Sequence, residues 1–285
     1  MRPIRLVVLT FAALLAFAAN SLLCRAALRD TGIDAASFTS IRLISGALML
    51  WLLAAMFRPG RNGSGNWRSA FALFAYAVAF SFAYNSLSAA TGALLLFGAV
   101  QATMIGYGLA RGEQLASWQG VGLAVALAGL VGLLLPGLSA PPLYGSVLML
   151  GAGVAWGVYS ILGKGGGGDP VVTTAGNFAR AMVFGLGASV WQGMPPGLPI
   201  DGIGYAAASG ALASGIGYAI WYTVLPYLRS TTAATLQLSA PVLAAAGGIV
   251  FLAEPLTVRF LLAAVAVLGG VALFILAKPV PRRVS

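Results

Sequence analysis

Apolar runs of about twenty residues, each ended by a short cluster of charge, proline or glycine, follow one another along the whole sequence. A helix crossing the hydrocarbon core of a bilayer needs about 20 mostly apolar residues. Cutting at the polar clusters predicts ten such helices, over about 4–24, 34–57, 68–88, 90–110, 116–135, 142–163, 171–193, 202–225, 231–252 and 256–277. The breaks are segments such as "RDTGID", "RPGRNGSGNWR", "KGGGGDP" and "AEPLT". The slightest is "SLSAAT", needed because 68–110 is too long for one span.

Composition turns this pattern into a class. The chain of 285 residues is 60% apolar and 8% charged, against about 25% charged in soluble domains. So little polar surface cannot cover a globule in water, and the lipid bilayer is the expected partner of the outer surface. The net charge of +10 does not mark nucleic acid, because the basic residues sit between apolar runs and form no patch. With ten spans, Arg2, Arg5, Arg58, Arg61, Arg68, Arg111, Lys164, Arg229, Lys278, Arg282 and Arg283 fall on one side, eleven in all; Arg25, Arg29 and Arg259, three, fall on the other. By the positive-inside rule this predicts a multi-pass protein of the inner (plasma) membrane with both termini cytoplasmic. The run after Arg2 and Arg5 is read as a retained first helix and not a signal peptide. One cysteine and no histidine speak against a disulfide framework and a transition-metal site, and no cofactor is expected. "GKGGGG" at 163–168 follows a membrane helix, not a strand, so it is read as a connector and not as a dinucleotide loop.

The two halves resemble each other. Sliding one over the other places Glu113 opposite Glu254, Phe17 opposite Trp156, Arg25 opposite Lys164 and Arg42 opposite Arg180, at nearly constant offsets. Five spans per half force the second copy to enter the membrane upside down. This gives residues 1–138 and 139–285 as an inverted 5+5 repeat, the construction of many secondary transporters, with the site near the midplane. The stretches "AFAANSLLCR" and "VAWGVYSILGK", with "AATLQLSAPVLAAAGGIVFLAEPLTVRFLLAAVAVLGGVALFI" near the end, resemble the EamA repeats of the drug/metabolite transporter superfamily. The resemblance implies an all-α fold of ten transmembrane helices and a secondary transporter, not an enzyme. "ALLLFGAVQATMIGYG" looks most like the branch of aromatic amino-acid and methyl-viologen exporters, although Val100 stands where the repeat partner has Pro241.

Polar residues inside spans are costly, so each is a candidate. Gln101 lies near the midplane of the fourth span, on one helical face with Phe97 and Met104; it could tie two helices together or hold a substrate's polar end. Phe17, Asn20, Trp156, Tyr159 and Ser160 lie past the middle of the first helix of each half, and Gln237 lies one turn before Pro241. Tyr76, Phe80 and Tyr84 recur every fourth residue, and Tyr218, Trp221 and Tyr222 cluster; such rings either pack as a stripe or wall a cavity for an apolar or aromatic substrate. From these, Phe17, Asn20, Phe80, Tyr84, Phe97, Gln101, Trp156, Tyr159, Ser160, Trp221 and Gln237 form the expected substrate site. Arg42 and Arg180 are the basic residues inside spans. They either snorkel to the surface or capture a carboxylate with the guanidinium fork. Gly98, Gly108, Gly217 and Gly248 are candidate hinges, and Glu113 and Glu254 candidate caps of the helices that follow them.

No Asp, Glu or His lies in the middle of any span, so no proton relay is visible and no acid–base pair for an enzyme. The favoured expectation is an exporter of amino acids, aromatic and other apolar ones included, acting as a monomer by alternating access. The rivals are a multidrug or cationic-compound exporter, a sugar-phosphate antiporter, for which converging cations are too few, and a membrane scaffold subunit, which needs no inverted repeat.

Overall fold

A computed structural model describes residues 2–112, 114–137, 139–164, 168–193, 197–228 and 236–277. These form ten helical spans: α1 Pro3–Asp30, α2 Ala35–Phe57, α3 Trp67–Tyr84, α4 Ala89–Ala110, α5 Ser117–Leu134, α6 Leu143–Lys164, α7 Pro170–Gln192, α8 Ile200–Tyr227, α9 Ser239–Leu252 and α10 Val258–Leu276. Among the described residues there is no strand. Seven spans are individually long and apolar enough to cross a bilayer. The protein is an all-α membrane protein.

The polar breaks start the next helices by capping them. Asp34 accepts from the amides of Ala36 and Ser37 at the start of α2, and Asn66 from Ser69 in α3. Ser88 accepts from Thr91 in α4, Asp169 from Val171 and Val172 in α7, and Thr257 from Phe260 in α10. The first turn of a helix leaves amides unpaired, and in lipid an unpaired amide costs several kcal/mol. Short polar side chains at the breaks therefore set where these five helices begin. "SLSAAT" is a true break, with Tyr84 ending α3 and Ser88 capping α4.

One span departs from regular helix. Inside α8, Ser209–Ile216 forms π-helical turns between Ile200–Ala208 and Gly217–Val224. The wide turns carry Gly210 against α2, where a β-carbon would collide with the Arg42 carbonyl oxygen and with Ser45. Such π segments often mark functional sites.

The helix pairings map onto themselves when the first five helices are exchanged for the last five. α2 packs on α7, α4 on α9 and α5 on α10; α3 packs on α6 as α8 packs on α1, and α4 on α6 as α9 on α1. Buried Phe38, Leu43, Leu73, Phe80, Leu94 and Phe178 fill the interior, while Trp51, Phe71, Val121, Val147, Val190 and Leu262 point outward. That outer surface is inverted relative to a soluble protein, and only hydrocarbon suits it.

Without a hydrophobic force between helices in lipid, close backbone approach through small residues holds them together. At the α5–α10 seam, a β-carbon on Gly122 or Gly270 would lie 2.5 Å from the other's carbonyl oxygen. Gly269, one residue away, faces open space. Gly270→Ala is therefore expected to cost about 1–3 kcal/mol through overpacking, whereas Gly269→Ala should be neutral or slightly stabilising. Thermal unfolding of the two variants in the same detergent checks this.

Candidate functional site

Five helices bring rings and polar groups together at half-depth. α1 contributes Phe17 and Asn20, α2 Arg42, α3 Tyr76 and Phe80, α6 Trp156 and Tyr159, and α8 Ser209, Tyr218 and Trp221. The rings form a continuous chain: Tyr76 to Trp156 at 4.9 Å between centroids, Trp156 to Tyr218 at 5.3 Å, Tyr218 to Phe17 at 6.0 Å and Phe17 to Trp221 at 5.7 Å. Tyr159 stacks on Trp156 at 5.3 Å. Tilted and edge-on pairs of this kind are favourable beyond the area they bury.

Polar bonds thread the rings. The Ser209 hydroxyl donates to Asn20 Oδ1 (2.7 Å), Asn20 Nδ2 donates to the Tyr76 hydroxyl oxygen (3.2 Å), and Arg42 Nη2 donates to that same oxygen (3.0 Å). The Arg42 guanidinium lies 5.2 Å from the Tyr76 ring centroid and 4.9 Å from that of Phe80. Arg42 is 1% exposed, so it does not snorkel. Among the described residues its Nε and Nη1 have no hydrogen-bond partner, and no salt bridge reaches it. Asn177 of α7 donates to the Tyr159 hydroxyl oxygen at 3.3 Å.

The other predicted residues lie elsewhere. Arg180, the repeat partner of Arg42, donates from Nη1 to the carbonyls of Ser64 and Gly176 and lies near the Trp67 ring; it fastens the loop before α3. Gln101 lines a narrow crevice with Gly98, Gly122, Ala126, Val271 and Phe274, facing α5 and α10 and not the ring cluster. Phe97 is half-buried against the core, Tyr84 reaches the Ala89 carbonyl across the α3–α4 turn, and the Ser160 hydroxyl donates to Trp156 in its own helix. Gln237 is half-buried just before α9. Of the candidate hinges, Gly98 abuts Leu130, Gly217 abuts Ala16 and Gly248 abuts the Glu254 carboxylate, while Gly108 is buried near the end of α4. Tyr76 and Tyr218, parts of the aromatic pattern not placed among the expected site residues, are central to the cluster. Their signal was the spacing of Tyr76 one turn before Phe80 and of Tyr218 one turn before Tyr222.

Each end of the bundle is closed by an ion pair joining the two halves. At the end where α1 finishes, Arg25 Nε meets Glu254 Oε1 at 3.1 Å, and Arg25 Nη1 donates to the Tyr84 carbonyl at 2.8 Å. Glu254 Oε2 accepts from the Ala89 amide at 2.8 Å. Glu254 thus caps α4, far away in sequence, and the helix that follows it is capped by Thr257; Glu113 lies outside the described residues. A cavity of about 370 Å³, lined by Arg25, Arg29, Ser88, Glu254 and Thr257 among others, adjoins this clamp. At the opposite end Arg58 Nε faces Asp169 Oδ2 at 3.8 Å, and Arg58 Nη2 donates to Thr223 at 3.3 Å.

Residues 143–276 match the EamA-like transporter family. A Pseudomonas aeruginosa protein, described as uncharacterized protein PA1977, is 56% identical over 274 residues, covering 95% of this chain and 94% of that protein. The threonine/homoserine exporters RhtA of Salmonella typhimurium and Escherichia coli are each 30% identical over 138 residues, 45% of this chain and 44% of theirs. One solved crystal structure superposes with a TM-score of 0.62 over 95% of this chain and 97% of that one, at 18% identity, which shows a shared fold.

Cys24, fully buried beside Arg25, reports on the clamp, since a buried thiol is inert. Glu254→Gln removes the ion pair and is expected to raise the rate of Cys24 modification by a maleimide about tenfold or more, as expected when a partly buried pair worth over ~1.4 kcal/mol is lost. Modification rates of the two proteins in proteoliposomes check it.

Proposed function

We propose that the chain is a transporter of the drug/metabolite superfamily that exports amino acids, aromatic and other apolar ones, from the cytoplasm across the inner membrane; the match of residues 143–276 to the EamA-like transporter family supports this. One observation carries the reading: Phe17, Tyr76, Trp156, Tyr218 and Trp221 form one chain of rings at half-depth, and Tyr76 in that chain is bonded to both Asn20 and Arg42. A large aromatic surface with a few fixed polar groups is the makeup of a small-molecule site, and here it lies between the repeats, where secondary transporters bind.

The halves, residues 1–138 and 139–285, rock against each other around this site. Arg25–Glu254 and Arg58–Asp169 each cross between the halves, at opposite ends. Both pairs being formed, with Arg42 at 1% exposure, supports reading this conformation as occluded. Opening to either side then requires one pair to break while the other holds. Cytoplasmic termini, from the distribution of basic residues, put the Arg58–Asp169 closure on the cytoplasmic face.

The threonine/homoserine exporters matched over one half support export of amino acids as the direction and class, and the ring cluster favours larger apolar side chains over threonine. Purified protein in liposomes is expected to take up radiolabelled phenylalanine saturably, and no flux for any amino acid overturns the reading. Trp156→Ala, which removes the ring touching Tyr76, Tyr159 and Tyr218, is expected to lower uptake at least about tenfold, as loss of a buried aromatic anchor does. Gln101→Leu, facing α5 and α10, is expected to leave uptake within about twofold while shifting the melting temperature, as for a membrane hydrogen bond worth ~0.6 kcal/mol.

A further inference from the structure

The midplane cluster is rich in donors and poor in acceptors. A guanidinium has five N–H donors, and Arg42 spends one, from Nη2 on Tyr76. Nε and Nη1 are unpartnered at 1% exposure. Whichever Nη2 proton Tyr76 accepts, one pair of parallel N–H bonds on adjacent nitrogens remains, the fork that fits a carboxylate. Three acceptors of the cluster are already engaged. The Tyr76 oxygen takes protons from both Asn20 and Arg42, Asn20 Oδ1 takes the Ser209 hydroxyl, and the Tyr159 oxygen takes Asn177. Two of the rings, Tyr76 and Phe80, already face the guanidinium. No acidic residue lies in the middle of any span.

A buried charge without a partner is expensive, and an incoming carboxylate would relieve it, whereas an incoming ammonium would add to it. We propose that Arg42 anchors the carboxylate of an aryl-bearing monocarboxylate, and that the α-ammonium group of an amino acid is not recognised. The proposal rests on the midplane cluster being the substrate site, and it narrows the substrate class to one defined by carboxylate plus aromatic ring. Phe17, Trp156, Tyr218 and Trp221 form the apolar wall for the ring, and the second Nδ2 proton of Asn20 is a further donor for the carboxylate. Deaminated aromatic acids then compete with aromatic amino acids, while aromatic amines do not. Arg180 does not take this role, because it lies outside the cluster, bonded to the carbonyls of Ser64 and Gly176 beside the Trp67 ring.

The test uses the full chain purified in detergent and three probes that share a phenylethyl skeleton: 3-phenylpropionate, phenylalanine and 2-phenylethylamine. Binding is read from the concentration dependence of the thermal unfolding midpoint. The expected result is that 3-phenylpropionate binds at least as tightly as phenylalanine and that the amine binds about 30-fold or more weaker, the loss expected when a buried charge partner is removed. Arg42→Met is expected to lose both acids by a similar factor. Arg42→Lys, which keeps the charge without the fork, should recover only part of the affinity. Equal binding of the amine, or no binding of any probe to the wild-type protein, overturns the proposal without recourse to a variant. Its failure is separable from failure of the export reading. Phenylalanine uptake with an unchanged KM in Arg42→Met liposomes sinks the carboxylate anchor and keeps export; Arg42-dependent binding of 3-phenylpropionate without flux of any amino acid does the reverse.

Discussion

A guanidinium held at half-depth, with hydrocarbon around the protein and, among the described residues, no carboxylate paired with it, sets the terms for everything near it. Arg42 is kept there by Tyr76, which accepts its one hydrogen bond, and by the faces of Tyr76 and Phe80. Tyr76 is in turn held by Asn20, and Asn20 by Ser209 at the start of the π segment. The π segment can come this close because Gly210 has no β-carbon to strike the Arg42 carbonyl. One buried charge thereby couples α1, α2, α3 and α8 in a single network. In such a network half-satisfied groups are costly and each member fixes its neighbours.

The same economy governs both ends of the bundle. Glu254 serves two partners, pairing with Arg25 and capping the first amide of α4. Its position follows from the end of α9, where the Glu254 amide bonds back to the Gly248 carbonyl and Ala253 adopts φ +50°. A left-handed residue other than glycine costs energy, and here it aims the carboxylate across the bundle. Asp169 has the matching double duty, capping α7 while facing Arg58. Each of these carboxylates therefore ties a helix start to an ion pair between the first five helices and the last five.

The repeats share a scaffold but not a chemistry. Arg42 and Arg180 occupy matching places in the two halves, yet one is sealed in the ring cluster and the other pins a loop. Gln101 faces the α5–α10 seam, not the cluster. Arg42 and Asn20, among the residues that distinguish the halves, meet in the ring cluster.

Much of the architecture was legible in the sequence. The length of the apolar runs predicted ten spans, and the polar clusters between them predicted the breaks. Phe17, Asn20, Trp156 and Trp221 could be picked out as residues too polar or too aromatic for mid-span packing. The direction of each side chain could not. In water, polarity separates inside from outside; in lipid both the core and the outer surface are apolar, so a helical face carries no mark of what it meets. Gln101 therefore looked as well suited to the centre as Asn20, and Glu254 looked like a cap for its own neighbour. Only the tertiary structure decided that Asn20 turns to Tyr76, that Gln101 turns away, and that Glu254 reaches α4. Those outcomes depend on which helix lies alongside, a contact between residues more than fifty positions apart in the chain for Asn20 and Glu254.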